Sequence, residues 1–442
     1  MKIKEVRRYD STIMHLIAFA TLGYLLKYLL NVVLARYLTP SLYGDFNIAI
    51  RVLTIIMTCV LLGTHHSAKR FFSSYWNAKD EVNCQKYIDW NIKTVSFSIL
   101  ICVFIAASSF IVMHVLHYLH IKDIRSYHLT IYMLWIAPLA SIFTLLRSYL
   151  VCEDHLVFQQ ALRNIKKLMY IIFILVMFEF FKVPTDNYML AIIVFLSFAL
   201  LILVELVFIS KRTPLLYKSL LRAFPVKFNY HGNQEWKSVS FRLALSSLIF
   251  LLVCVTDLII VEVISPDRNA VGMYAVALTI ASSILVIPTN IYSSVKVIIN
   301  RLSHTNKGRQ QIELFIRQLN RVSLCTMLVL AGLIFSFSKL LLLHFGTVYA
   351  EAEPALRILV VAFMLIAYSK SAAVVLTYSD HEADLLKISA VDLALLIVLG
   401  IILTYYDGIV GTAIATTISV GVKFIVLNIS VYRRLKIKTF VV

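Results

Sequence analysis

Residues 188–210 read Tyr188-Met-Leu-Ala-Ile-Ile-Val-Phe-Leu-Ser-Phe-Ala-Leu-Leu-Ile-Leu-Val-Glu205-Leu-Val-Phe-Ile-Ser210, with Glu205 the only charge in the run. A bilayer's hydrocarbon core is about 30 Å thick, and a helix of roughly 20 apolar residues crosses it. Only helices and closed barrels satisfy every backbone group in that medium, and an unbroken run this long is a helix. Working outward, the same pattern recurs along the chain. Twelve spans are expected, at about 12–34, 42–64, 90–114, 129–151, 164–181, 188–210, 240–263, 271–299, 322–343, 355–378, 385–405 and 409–431. The whole 442-residue chain is 60% hydrophobic and 15% charged. Soluble domains hold about 45–50% apolar and 25% charged residues. A soluble enzyme, a coiled coil and a disordered chain are thereby excluded. The expectation is an all-α integral membrane protein with no room for a folded soluble domain.

Charge supplies the topology. The chain carries 42 Lys and Arg against 24 Asp and Glu, a net +18. On the twelve-span reading, 27 of the basic residues fall in alternate connections and the termini, and six in the remaining connections. Basic loops stay on the cytoplasmic side, so both termini are expected there, in a multi-pass membrane protein. The basic excess then reports orientation and anionic lipid, and no nucleic-acid partner is implied. The run after Lys2, Lys4, Arg7 and Arg8 is too long for a signal-peptide core, lacks an A-x-A-like end, and reads as a retained first span. The six cysteines are scattered without a C-x-x-C pair and read as apolar fillers.

The longest connection, about 211–239, divides the chain into a six-helix lobe at 1–210, a basic cytoplasmic linker, and a second six-helix lobe at 240–442. The halves echo each other. Pro40 pairs with Pro266, Gly44-Asp-Phe46-x-x-Ala49 with Gly272-Met-Tyr274-x-x-Ala277, and Asp154-His155 with Asp380-His381, at offsets of 226–228 residues. Six helices per half means both halves enter from one side. The repeats are then expected to obey a pseudo-two-fold along the membrane normal, with a site at their interface.

Three stretches carry a family likeness. Leu34-Ala-Arg36-Tyr-Leu38-Thr-Pro40-Ser-Leu-Tyr43-Gly44-Asp-Phe46, followed by Leu62-Gly63 and Ala68-Lys-Arg70-Phe71, resembles the opening of bacterial polysaccharide-biosynthesis flippases. Thr256-Asp257-Leu-Ile-Ile-Val with Val271-Gly272-Met-Tyr274-Ala275-x-Ala277 resembles the start of their second half. Asp407-Gly408-Ile-Val-Gly411-Thr-Ala413-Ile-Ala415-Thr is similar to their last span. These O-antigen-type flippases belong to the multidrug/oligosaccharidyl-lipid/polysaccharide exporter superfamily. The resemblance implies a two-lobed transporter of 12 or 14 helices working by alternating access. It implies a polyprenyl-pyrophosphate-linked oligosaccharide as substrate, surface polysaccharide such as lipopolysaccharide as the product pathway, and polysaccharide polymerase machinery as a partner. The chain departs from the pattern in having only 12 Gly, and it lacks the two extra spans of lipid-linked peptidoglycan-precursor flippases.

Charges inside spans are costly and functional by default. Lys27, Arg51 and Asp257 share a height along their helices, and the family's cavity is lined by the first two helices of each lobe, so these three are the expected substrate cavity. Lys27 and Arg51 suit a pyrophosphate; snorkelling to the interface is the competing reading. Asp257 holds the cations apart or binds a coupling proton. Lys370 with Asp392, and Arg147 with Glu205, match in height and read as ion pairs within each lobe or as sites for a coupling H+ or Na+. Arg242, Lys296 and Lys423 lie nearer the cytoplasmic ends and read as a cytoplasmic mouth for the anionic headgroup, with snorkelling the competing reading for the first two. His114, His117 and His120 share a helix face and read as an interfacial stripe, so no metal site is assigned. No cofactor is expected: no G-x-x-x-x-G-K-[ST] loop, G-x-S-x-G or H-E-x-x-H motif is present. The alternatives are a drug/cation antiporter of the same superfamily, which calls for an acidic cavity, and another twelve-helix transporter, whose usual G-x-x-x-D-R-x-G loop is replaced by His65-His-Ser-Ala-Lys-Arg-Phe-Phe. A polymerase or ligase enzyme calls for a long outer loop, and every outer loop here is short.

Overall fold

The structure, a computed structural model, describes residues 3–121, 128–153, 155–223, 233–289, 308–378 and 382–435. Lys296, Asp154, Asp380 and His381 lie outside the described residues. Among the described residues the chain is helical throughout, and nine helices are long and apolar enough to cross a membrane. One of these nine is a helix of 54 residues that folds back on itself at Gly408 and supplies two spans. Two compact units emerge, Met1–Leu26 with Asp45–Leu251, and Lys27–Gly44 with Leu252–Val442. Compactness therefore divides the chain differently from the halves expected at 211–239: the first helix and the helix after that connection each belong in part to both units.

The first unit holds the N-terminal part of α1 (Ile3–Tyr37), most of α2 (Pro40–Leu61), α3 (Thr64–Ser67), α4 (Phe71–Asn77), α5 (Glu81–Tyr118), α6 (Leu129–Cys152), α7 (Leu156–Leu175), α8 (Asn187–Arg212), α9 (Pro214–Arg222) and the first part of α10 (Gln234–Ile264). Caps set the helix starts: Asp80 accepts from the Asn83 N–H at 3.0 Å, and Asp186 from the Met189 N–H at 2.8 Å. Proline opens α2 and α9, where its missing N–H costs nothing. Gly63 has a φ of +74°, and a Cβ there would meet the Ser240 carbonyl at 2.1 Å. That close approach lets Ser67 reach Ser240 at 2.6 Å and Tyr87 at 2.8 Å. Trp236 packs against Tyr75, Tyr87 and Trp90, with ring centroids 5.2–6.3 Å apart. The segment expected as a linker thus contains a helix, α9, whose Leu216 and Leu220 are buried in this unit's core.

The second unit holds the C-terminal part of α1, the rest of α10, α11 (Ala270–Ala281), α12 (Gly308–Ser336), α13 (Ser338–Phe345), α14 (Glu353–Tyr378) and α15 (Glu382–Leu435). Here α1 is tied down by Arg36, which donates to the His344 carbonyl at 3.0 and 3.2 Å, and by the Tyr349 hydroxyl, which donates to the Ala35 carbonyl at 3.4 Å. The repeated glycines have a reason to be small: a Cβ on Gly44 would lie 2.8 Å from the Gly272 nitrogen, and one on Gly272 would lie 1.9 Å from the Pro40 carbonyl oxygen. The offset that relates the two motifs in sequence therefore pairs residues that touch. In α15, Gly408 has φ +55° and ψ −133°, outside the helical region. Thr404 bonds Thr412 at 2.7 Å, Asp392 bonds Lys423, and Asp384 bonds Arg434, so the pairs nest about the bend as in two antiparallel spans.

Candidate functional site

An ion buried in a span needs a partner, because its desolvation is repaid only by close, well-hydrogen-bonded geometry. The second unit supplies one case. The Asp392 side chain is 1% exposed, and its carboxylate accepts from Lys423 Nζ at 2.9 Å and from the Ser419 hydroxyl at 2.9 Å. A cavity of about 120 Å³ opens beside it, lined by Lys387, Ile388, Val391, Asp392, Val422, Lys423 and Val426. The pair expected from sequence was Asp392 with Lys370. The structure replaces it: Lys423 is the partner of Asp392, and Lys370 donates to the Thr289 hydroxyl. Sequence does not give the direction a side chain faces around its helix, and the α15 fold-back brings Lys423 round to Asp392.

The first unit is different. Glu205 is fully buried, and neither carboxylate oxygen has a hydrogen-bond donor among the described residues. Arg147 is near enough for its charge to act on Glu205, yet the two form no ion pair. The expected Arg147–Glu205 contact is therefore absent among the described residues. Arg147 instead shares a neighbourhood of like charge. Arg163 acts on it electrostatically, and Arg147 and Lys167 act on Lys166. Lys166 lies over the Phe198 ring at 4.3 Å and the Tyr170 ring at 5.7 Å, a cation–π arrangement.

The rotation of α7 is fixed by two polar anchors on α1. Asn164 donates to the Phe19 carbonyl at 2.8 Å, and Lys167 Nζ to the Gly23 carbonyl at 2.6 Å. Arg163, Lys166, Lys167 and Tyr170 recur at the spacing of a single helix face. Every window of α7 long enough to cross a membrane includes all three of those cations, and α7 is not among the nine apolar helices. The positive-inside count assigns all three to the cytoplasmic connection at the start of the span expected at 164–181, which hides them as site candidates. Their signal was present all the same, as three cations on one face of a helix expected to span.

The residues expected to line a cavity fall in both units. Lys27 is exposed and Asp257 is buried at 6% exposure, both in the second unit; the Leu258 N–H donates to Asp257 Oδ1 at 2.8 Å. Arg51, half-buried on α2, belongs to the first unit. Arg242 is exposed near the start of α10. His114, His117 and His120 are exposed at the end of α5. The His128 Nε2 lies 3.2 Å from Asp45 Oδ1, while its Nδ1 accepts from the Thr130 N–H.

Among the perturbed groups outside the spans are His65, His66 and Glu153. Burial, then the nearby charges of His66, Lys69 and Arg147, holds the His65 imidazole down at about 2. Burial and then Lys69 hold His66 at about 4. Burial pushes the Glu153 carboxyl up to about 7, with Thr213 opposing. The region around Arg147 is thus positive and short of counter-charge.

The sequence profile of the polysaccharide biosynthesis protein family matches residues 11–299. No curated protein sequence matches the chain. Among solved structures, a multidrug resistance MATE family transporter of the MOP superfamily, in an inward-facing conformation, is similar at TM-score 0.73 and 12% identity, covering 95% of this chain and 98% of that one. The lipid II flippase MurJ, in an inward closed conformation, is similar at TM-score 0.63 and 13% identity, covering 94% of this chain and 87% of that one. A MOP superfamily transporter from Pyrococcus furiosus, described by the reverse polarity of its binding pocket, reaches TM-score 0.67 at 13% identity, covering 96% of this chain and 95% of that one. At such identities the likeness carries the fold, a two-lobed helical transporter fold.

Proposed function

The chain belongs to the polysaccharide biosynthesis protein family, and from that premise we propose that it flips a polyprenyl-pyrophosphate-linked oligosaccharide from the cytoplasmic to the outer leaflet by alternating access. The observation that carries this reading is the sign of the charge gathered on the α6–α7 face of the first unit. Arg147, Arg163 and Lys166 form no ion pair among the described residues, and Glu205 is the acid whose charge acts on Arg147. A pocket for cationic drugs calls for the opposite balance. Arg and Lys in a low-dielectric site suit phosphate oxygens, which they bind with charge-assisted hydrogen bonds.

Lys27 and Arg51 are assigned cationic contacts to the diphosphate, and Asp257 either spaces those cations or binds a coupling proton. Asp392, with Lys423 and Ser419, and Glu205 are assigned to coupling by H+ or Na+. Arg242 and Lys296 are assigned to the cytoplasmic approach. The location is the bacterial inner membrane with both termini cytoplasmic, and the polymer made downstream is a surface polysaccharide of the O-antigen type. The fold shared with a lipid II flippase supports a lipid-linked substrate. The test is complementation of a deletion strain. The wild-type gene restores surface polymer, whereas Arg51→Ala, at normal protein level, leaves the lipid-linked oligosaccharide on the cytoplasmic face. Full polymer in that variant removes Arg51 from the mechanism, and failure of the wild type to restore export removes the flippase reading.

A further inference from the structure

We propose that Arg147, Arg163 and Lys166 form a diphosphate-holding site inside the first unit, separate from Lys27, Arg51 and Asp257. It rests on the flippase reading for the identity of the substrate, and on the following geometry for its existence.

The three cations come from α6 and α7, and the face that α7 presents is set by its anchors on α1. Lys167, the fourth cation on the α7 face, is spent on the Gly23 carbonyl. Gly23 is where α1 and α7 meet most closely, since a Cβ there would lie 2.5 Å from Asn164 Oδ1. This anchor rotates Lys166 onto Phe198 and Tyr170, both buried. The outcome is an ammonium flanked by aromatic rings and in electrostatic reach of Arg147, which is in turn in reach of Arg163.

Among the described residues, the side chains of Arg147, Arg163 and Lys166 make no hydrogen bond and no ion pair. Each guanidinium has five N–H donors to satisfy. Like charges held together, two of them partly withdrawn from water, raise the free energy of the empty site, and a bound anion lowers that cost. Exposure is graded: Arg163 is exposed, whereas Arg147 and Lys166 are half-buried. An anion entering at Arg163 therefore moves toward progressively drier cations.

Three features select a diphosphate over a single carboxylate or sulfate. Two Arg forks match two phosphate groups, each bidentate. The ammonium between aromatic faces adds a compact third charge for the bridging region. Glu205, within reach of Arg147, offsets one positive charge when ionised and leaves two, which suits a diphosphate diester with one charge per phosphate. Phe198 and Tyr170 give an apolar wall for the first prenyl carbons.

The test uses the full-length protein in nanodiscs, with inorganic pyrophosphate, farnesyl diphosphate, sulfate and farnesol as probes, and reads affinity by calorimetry and by thermal shift. Pyrophosphate and farnesyl diphosphate are expected to bind and stabilise the wild type. Arg147→Gln, Arg163→Gln and Lys166→Gln are each expected to weaken both by tenfold or more, while Lys166→Arg keeps binding within a few-fold. Lys218→Gln, which removes an exposed charge from α9, is expected to change nothing. Because Arg163 is exposed, its variant folds even where a buried one does not. Undiminished diphosphate binding in the three Gln variants overturns the site, as does a wild type that ignores pyrophosphate or binds farnesol as well as farnesyl diphosphate. The same variants are assayed for polymer export in the deletion strain. Lost binding with unchanged export overturns the site's role in transport and leaves the flippase reading standing. Intact diphosphate binding in a wild type that fails to export overturns the flippase reading and leaves the site.

Discussion

The α15 hairpin and the α6–α7 face both hold charge within spans, and they treat it in opposite ways. In α15 the carboxylate of Asp392 has a cation and a hydroxyl at 2.9 Å each. Its charge is explained by what surrounds it. On the α6–α7 face Arg147, Arg163 and Lys166 reinforce one another's field, and Glu205 is buried without a donor among the described residues. Glu205 offsets part of that charge and leaves the face positive. A satisfied pair has its charge met by its own neighbours. An unsatisfied cluster of one sign implies a ligand of the other, since otherwise its cost has no return.

The contrast breaks most readily at Asp392. Removing one partner of a buried pair leaves the other uncompensated and costs about 3–5 kcal/mol. Asp392→Ala is therefore expected to be the most damaging single change, seen as a large fall in melting temperature. The charge-swapped double variant Asp392→Lys, Lys423→Asp is expected to recover most of it, and a swap of Asp392 with Lys370 none. Equal recovery from both swaps contradicts the pairing.

On the α6–α7 face the sign of the stability effect reverses. Arg147→Gln and Lys166→Gln relieve repulsion, so melting temperature is expected to hold or rise while export falls by tenfold or more, about 1.4 kcal/mol in transport free energy. A fall in stability like that of Asp392→Ala contradicts the distinction between the two regions.

The positive field also has a pH signature. His65 is held at about 2 by burial and nearby cations, against an ordinary 6.5. A base with a depressed folded value contributes stability present above the unfolded value and lost as pH falls, because the unfolded chain takes up the proton first. Stability is expected to drop below pH 6.5 by at most about 1.4 kcal/mol per pH unit, and His65→Gln is expected to flatten that slope. Glu153, raised to about 7 by burial, has the opposite sense. Its neutral form favours the fold below pH 4.5, and that advantage is lost as pH rises through 7. Glu153→Gln is expected to raise the melting temperature at pH 8 by about 2–4 °C and leave it unchanged at pH 4.

The spans were legible because hydrocarbon leaves the backbone so few solutions. Gly44 and Gly272 were legible as an echo, and the structure supplies the reason: each fills a space where a Cβ would strike the other's neighbourhood. The partner of Asp392 was not legible, because sequence gives height along a helix but no direction around it until the neighbours are placed. Arg163 and Lys166 were visible and misfiled. A rule that assigns cations to the cytoplasmic side absorbs any cation near a span's end, including one that faces inward. The α9 helix was read as part of a linker because its nine residues are too few to announce themselves by period, and its burial depends on a core built by distant helices.

Movement of a lipid-linked oligosaccharide across a bilayer, with cations of the first unit holding its diphosphate, can be measured outright. The most direct measurement is transbilayer movement of a polyprenyl-pyrophosphate-linked oligosaccharide in proteoliposomes, followed as sugar that becomes accessible to an impermeant reagent. The account predicts movement well above protein-free vesicles for the wild type, and movement near the protein-free rate for the Arg147→Gln, Lys166→Gln double variant. A wild type no faster than protein-free vesicles, or a double variant as fast as the wild type, contradicts it.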